Sequence, residues 1–87
     1  MLKIERRQTD DGGLSLKLAG EIRGPWVEEL RRVTEAVLAA AVPLRLDLLD
    51  VAFVDRDGVV LLARLARRDV TLVNCSAFVT ELLRARS

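Results

Sequence analysis

Between Leu44 and Leu62 an apolar strand pattern runs into Asp55-Arg56-Asp57-Gly58 and emerges as an apolar helix pattern. A strand that hands over to a helix commits the chain to an α/β arrangement, and the carboxyl end of such a strand is where these domains keep their binding and chemistry. A helix starting here aims free backbone N–H groups and the positive end of its dipole at residues 56 to 58, which suits a phosphate or a carboxylate. Yet the residues set there are an arginine and two aspartates. Between Val51 and Leu65 there is no serine, threonine, cysteine or histidine, so hydroxyl or imidazole chemistry has no group at this turn.

The rest of the chain builds around that junction. Leu2 and Ile4 alternate with polar neighbours, and after Asp10-Asp11-Gly12-Gly13 the alternation resumes as Leu14, Leu16 and Leu18, which predicts two strands joined as a hairpin. Gly20 to Gly24 reads as a loop feeding a helix with Pro25 at its first position and Glu28 and Glu29 in its first turn. Trp26, Leu30, Val33 and Val37 recur at helical spacing, the Ala39-Ala40-Ala41 run reads as a close-packing tail, and Pro43 marks the end. Leu44, Leu46 and Leu48 form a central strand that meets water or a loop at its end. Beyond the junction, Val59, Leu62 and Leu65 or Ala66 mark a second helix. Asp69 to Asn74 reads as a last strand, and Ser76 caps a final helix through Phe78, Val79, Leu82 and Leu83. The order ββαβαβα implies right-handed crossovers with parallel pairing, plus an antiparallel edge from the hairpin.

Composition removes several function classes. At 87 residues the chain reads as one domain over residues 1–87, with 51% hydrophobic but only 3% aromatic residues. The core must therefore be aliphatic, and a sticky face could support a homodimer. Fourteen basic against thirteen acidic residues give a net charge of +1, no electrostatic footprint for nucleic acid. One cysteine, Cys75, and no histidine argue against a disulfide and a zinc site, and fit a reducing compartment. No run is long enough for a signal peptide, and Val37 to Leu49 is broken by Pro43 and Arg45, so the expectation is a cytoplasmic protein that is not membrane-embedded.

Three segments, in this order, carry a family resemblance: Leu14-Ser-Leu-Lys-Leu-Ala-Gly-Glu-Ile, then Leu44-Arg-Leu-Asp-Leu-Leu-Asp-Val-Ala-Phe-Val-Asp-Arg-Asp-Gly, then Val70-Thr-Leu-Val-Asn-Cys-Ser-Ala-Phe-Val-Thr-Glu-Leu-Leu. Together they resemble the STAS domain family, whose best-known members are the bacterial anti-anti-sigma factors. The resemblance implies a mixed four-stranded sheet with about three helices and a non-enzymatic role in protein binding, without cofactor, in bacterial signalling and transcription regulation. In regulated members the first serine of Asp-Ser-Ser-Gly is phosphorylated by a partner anti-sigma kinase, which dissociates the complex. Matching Asp55 and Gly58 to that motif puts Arg56 at the phosphoserine position and Asp57 at the second serine. Arg23 likewise stands where the family's Gly-Glu-Leu-Asp loop has its aspartate. The resemblance thus implies a partner-binding surface of Glu21, Arg23, Asp55, Arg56, Asp57 and Gly58 without the serine switch. It offers two kinds of partner, an anti-sigma-like kinase or the ATPase of a phospholipid-moving ABC transporter. Relatives usually continue past the position of Ser87, which implies a minimal module.

Plainer readings stand beside the sharper ones. Asp50, Asp55 and Asp57 could chelate magnesium in a small nucleotide-binding enzyme, but an aspartate before a helix is more often a cap. Arg56 is either a contact residue or a solvated start to the helix, and it can neutralise Asp57 beside it. Cys75 at a helix start has no histidine to serve as base, so a small core residue is the better reading. The expectation is therefore a binding module with no catalytic residue and no metal.

Overall fold

The computed structural model describes residues 1–85. Its elements are β1 (Leu2–Gln8), β2 (Leu14–Ile22), α1 (Pro25–Ala39), β3 (Leu44–Val54), α2 (Arg56–Arg67), β4 (Thr71–Val73) and α3 (Ala77–Ala85). One sheet carries the strands in the order β1-β2-β3-β4, with β1 antiparallel to β2 and the other pairs parallel, as the hairpin and crossovers predict. The hairpin closes through Thr9 and Gly13, where the Gly13 N–H is shared at 3.0 Å between Thr9 Oγ1 and Asp11 Oδ1.

One face of the sheet is covered and the other is wet. Leu16, Leu18 and Ile22 of β2 and Leu44, Leu46 and Leu48 of β3 are buried. On the open face, Lys17 pairs instead with Asp50 at 3.5 Å. The two crossover helices touch each other and rest on the same side of the sheet. From α1 the buried stripe is Val27, Leu30, Val33, Thr34 and Val37. Leu30, Val33 and Val37 lie where expected, while Val27 takes the inward place at the start and Trp26 is half-buried against the core's edge. Thr34 fits a wholly buried site because its hydroxyl donates to the Leu30 carbonyl at 2.9 Å, leaving no unsatisfied polar atom. The alanine run is not a packing tail: Ala39 to Ala41 are exposed, and Ala41 turns the chain at φ 56. From α2, Val59, Leu61, Leu62 and Leu65 fill the centre. Truncating Leu62, which is fully buried, removes about 2–5 kcal/mol by the usual cost of a core cavity.

β3 departs most from its sequence reading. Burial alternates at Leu44, Leu46 and Leu48, but then comes at every third residue, Val51 and Val54. The pairing with β2 explains the change. Lys17 lies opposite Asp47 but Ala19 opposite Asp50, and Gly20 lies opposite Val51 but Glu21 opposite Phe53. Each slip places one extra residue in β3, and such bulges re-aim the side chains around them. Leu49 and Asp50, then Ala52 and Phe53, are all turned outward, leaving Leu49 63% and Phe53 41% exposed. The strand therefore continues to Val54 and meets water along its last residues, the first of the two outcomes expected for its end. β4 is shorter than the expected Asp69–Asn74 and pairs only with Arg45 to Asp47. Asp47 marks where that pairing stops, because its Oδ1 accepts from both the Leu49 N–H and the Asn74 side chain at 3.0 Å.

Ser76 caps α3 as expected, its hydroxyl accepting from the Val79 N–H at 3.1 Å. Val79 points into the core, whereas Phe78 stands 61% exposed rather than joining it.

Candidate interaction surface

Asp55 is extended, and its carboxylate is divided between two backbone segments. Oδ1 accepts from the Gly58 N–H at 2.8 Å, which is a helix N-cap, and Oδ2 accepts from the Gly24 N–H at 2.9 Å across 31 residues of sequence. Its own N–H donates to the Ile22 carbonyl at 3.0 Å. One side chain thus fastens the loop after β2 to the first turn of α2. The expected capping role is present, and the tie to Gly24 is additional.

Gly58 lies below this surface rather than on it. It is buried, and a Cβ at this position would sit 2.7 Å from Val54 Cγ1 and 2.8 Å from the Ile22 carbonyl oxygen. Its role in the fold is one of spacing: the missing side chain lets α2 start directly against the end of β2.

The charged residues are arranged around that clamp. Glu21 lies 3.7 Å from the Arg23 guanidinium and 3.9 Å from the N-terminal ammonium. Arg23 also lies over the Phe53 ring, 5.5 Å from its centroid, a cation–π contact worth about 0.5–1 kcal/mol at an exposed site. Arg56 and Asp57 are both exposed but diverge. Arg56 lines a groove of about 540 Å³ with Phe53, Val54, Asp55, Val59, Phe78, Leu82 and Ala85. Asp57 lines a second hollow of about 380 Å³ between α1 and α2, with Gly24, Val27, Glu28, Arg31, Val60 and Arg64. The expected neutralisation of Asp57 by Arg56 is not formed, because consecutive helical positions point about 100° apart.

The three aspartates weighed as magnesium ligands also separate. Asp50 pairs with Lys17, Asp55 holds two backbone N–H groups, and Asp57 faces the α1–α2 hollow. Among the described residues no three acids, histidines or cysteines gather as a metal would require. Cys75 is half-buried, and burial pushes its thiol up, away from the thiolate a nucleophile needs. No helix among the described residues is long and apolar enough to cross a membrane.

Sequence reasoning missed the aromatic part of this surface, Phe53 and Phe78. Their only signal is that two of the chain's three aromatic residues flank the 55–58 turn and the α3 start.

Known proteins supply the context for this geometry. The fold is similar to that of the anti-sigma factor antagonist SpoIIAA in its unphosphorylated form, with a TM-score of 0.75 and 20% identity, covering 94% of this chain and 82% of that one. It is also similar to a protein of the DUF3478 family with a SpoIIAA-like fold from Shewanella loihica PV-4, with a TM-score of 0.61 and 14% identity, covering 98% and 75%. No curated protein matches by sequence. The family model described as "Mlab, STAS domain" matches residues 5–86, nearly the whole chain, and with the mixed sheet and three helices already described, this protein belongs to the STAS domain family.

Proposed function

We propose that the chain is a non-enzymatic, cytoplasmic binding module that resembles an anti-sigma factor antagonist and holds its protein partner constitutively. The surface is the loop from Gly20 to Gly24, the turn at residues 55 to 58 and the first turns of α2. The observation that carries this reading is the Asp55 clamp: it makes one platform of two loops while leaving Arg23, Arg56 and Asp57 outward. Arg56 holds the position of the family's phosphoserine and offers a kinase no hydroxyl, so binding is not gated there. Arginine is also a residue type that concentrates binding energy at interfaces.

A second reading keeps the same surface but makes the partner the ATPase of a phospholipid-moving ABC transporter. The missing hydroxyl favours it, since such a partner does not need a serine switch, and the matching family model carries the Mlab name. Both readings are tested by titrating the purified chain separately with an anti-sigma kinase and with the ATPase of a phospholipid-moving ABC transporter from the same organism. An Arg23→Glu/Arg56→Glu double variant is expected to lose at least about tenfold in affinity, the scale of one lost contact of about 1.4 kcal/mol. Undiminished binding by that variant would remove this surface from consideration.

A further inference from the structure

Phe78, Leu82 and Ala85 follow one another along α3 at helical spacing and line one side of a groove: Phe78 and Ala85 are exposed, Leu82 is half-buried against the core, and Val79 packs inward. Facing that stripe are Phe53, turned out by the second β3 bulge, and Val59 of α2. The groove between them runs along a helix, and its lining is apolar except at the end where Arg56 and the already engaged Asp55 stand. Arg84, in the last turn of α3, is paired with Glu81 at 3.1 Å, whereas Arg56 has no ion-pair partner among the described residues.

We infer that this groove receives an amphipathic helix of the partner protein, with its apolar stripe between Phe53 and Phe78 and an acidic residue against Arg56. The inference rests on the reading above that this side of the molecule meets a protein, and it names the chemistry that the partner must present. An apolar stripe beside a parallel groove is how helices are recognised by grooves in general, through anchors at i, i+4 and i+7. The charge selects the occupant. A second copy seated by two-fold symmetry would lay groove against groove, because both copies of such a contact use the same patch, and the only carboxylate that patch could bring to Arg56 is the already engaged Asp55. A partner carboxylate instead supplies the missing counter-charge, at the polar end of an otherwise apolar groove.

The test uses the 15N-labelled chain and two helical peptides of about four turns. They share one leucine stripe, flanked by glutamates in one and by lysines in the other. The glutamate peptide is expected to shift the amide signals of Phe53, Arg56, Phe78 and Leu82 and to bind about tenfold more tightly than the lysine peptide. Arg56→Glu should reverse that preference, and Phe78→Ser, at an exposed position, should remove binding by both. Absence of shifts at millimolar peptide, or equal response to both peptides, overturns the inference. So does dodecanoate giving the Arg56-dependent shifts that the glutamate peptide does not, or a Phe78-dependent dimer in sedimentation. If Phe78→Ser leaves the kinase or ATPase partner bound while Arg23→Glu/Arg56→Glu releases it, the groove assignment fails and the binding surface stands.

Discussion

The Gly24 N–H donates to Asp55 Oδ2 at 2.9 Å, joining two loops that are 31 residues apart. The same carboxylate caps α2 through Gly58, so its removal acts on the helix and on the loop together. Asp55→Ala is expected to cost about 1–2 kcal/mol in urea unfolding, the usual range for a lost N-cap. Asp55→Asn, which keeps one carbonyl acceptor for Gly58, should cost less. Amide exchange at Gly24 should accelerate in both variants, which separates the clamp from a cap alone.

Gly58→Ala sets two effects against each other. Alanine in a helix is favoured over glycine by about 1 kcal/mol. The added methyl, however, would meet Val54 Cγ1 at 2.7 Å and the backbone oxygen of Ile22 at 2.8 Å. A backbone carbonyl in a paired strand cannot swing away, so overpacking wins, and a net loss of about 1–3 kcal/mol is expected from denaturation midpoints. Unchanged or raised stability would show that α2 can lift off β2 at little cost.

How much of this was legible depends on what each residue signals. The element order, the Pro25 start, the Asp55 and Ser76 caps and the hairpin turn were all readable, because each rests on local residue chemistry. The tie between Asp55 and Gly24 was not, since its donor is a backbone N–H of a residue with no side chain to mark it. Nor were the β3 bulges. Leu48-Leu49 and Ala52-Phe53 read as a continuing apolar strand, and only the pairing with β2 shows which residues are extra. The exposure of Phe53 follows from those bulges. Hence Phe53 and Phe78 carry no sequence signal as surface residues, whereas Glu21, Arg23, Arg56 and Asp57 are candidates from the sequence alone.

The acid limb of stability should involve Asp47. The Asn74 side chain, and then the Leu49 N–H, hold its carboxyl below the ordinary value of 3.8. A carboxylate whose folded pKa is depressed stabilises the fold above its unfolded pKa and loses that contribution as pH falls through the folded value. Asp47→Asn should therefore lower the urea midpoint at pH 7 slightly, and the gap from the natural chain should close below pH 3.8. A gap that persists in acid would mean that hydrogen-bond geometry at the bulge, and not charge, is what Asp47 supplies.

Restoring a hydroxyl offers a gain-of-function check. Arg56→Ser places a serine directly after the capping Asp55, at an exposed position in the first turn of α2. Incubated with an anti-sigma-type serine kinase and MgATP, the variant is expected to gain a phosphoryl group at residue 56, as judged by peptide mass spectrometry. The natural chain should gain none at residues 55 to 58.

The most direct test of constitutive binding is the affinity for the kinase or ATPase partner, measured by calorimetry before and after the complex is held with MgATP. The account predicts the same dissociation constant in both states and no phosphoryl group on the chain. Release of the partner, together with a phosphoryl group on any residue of this chain, would contradict it.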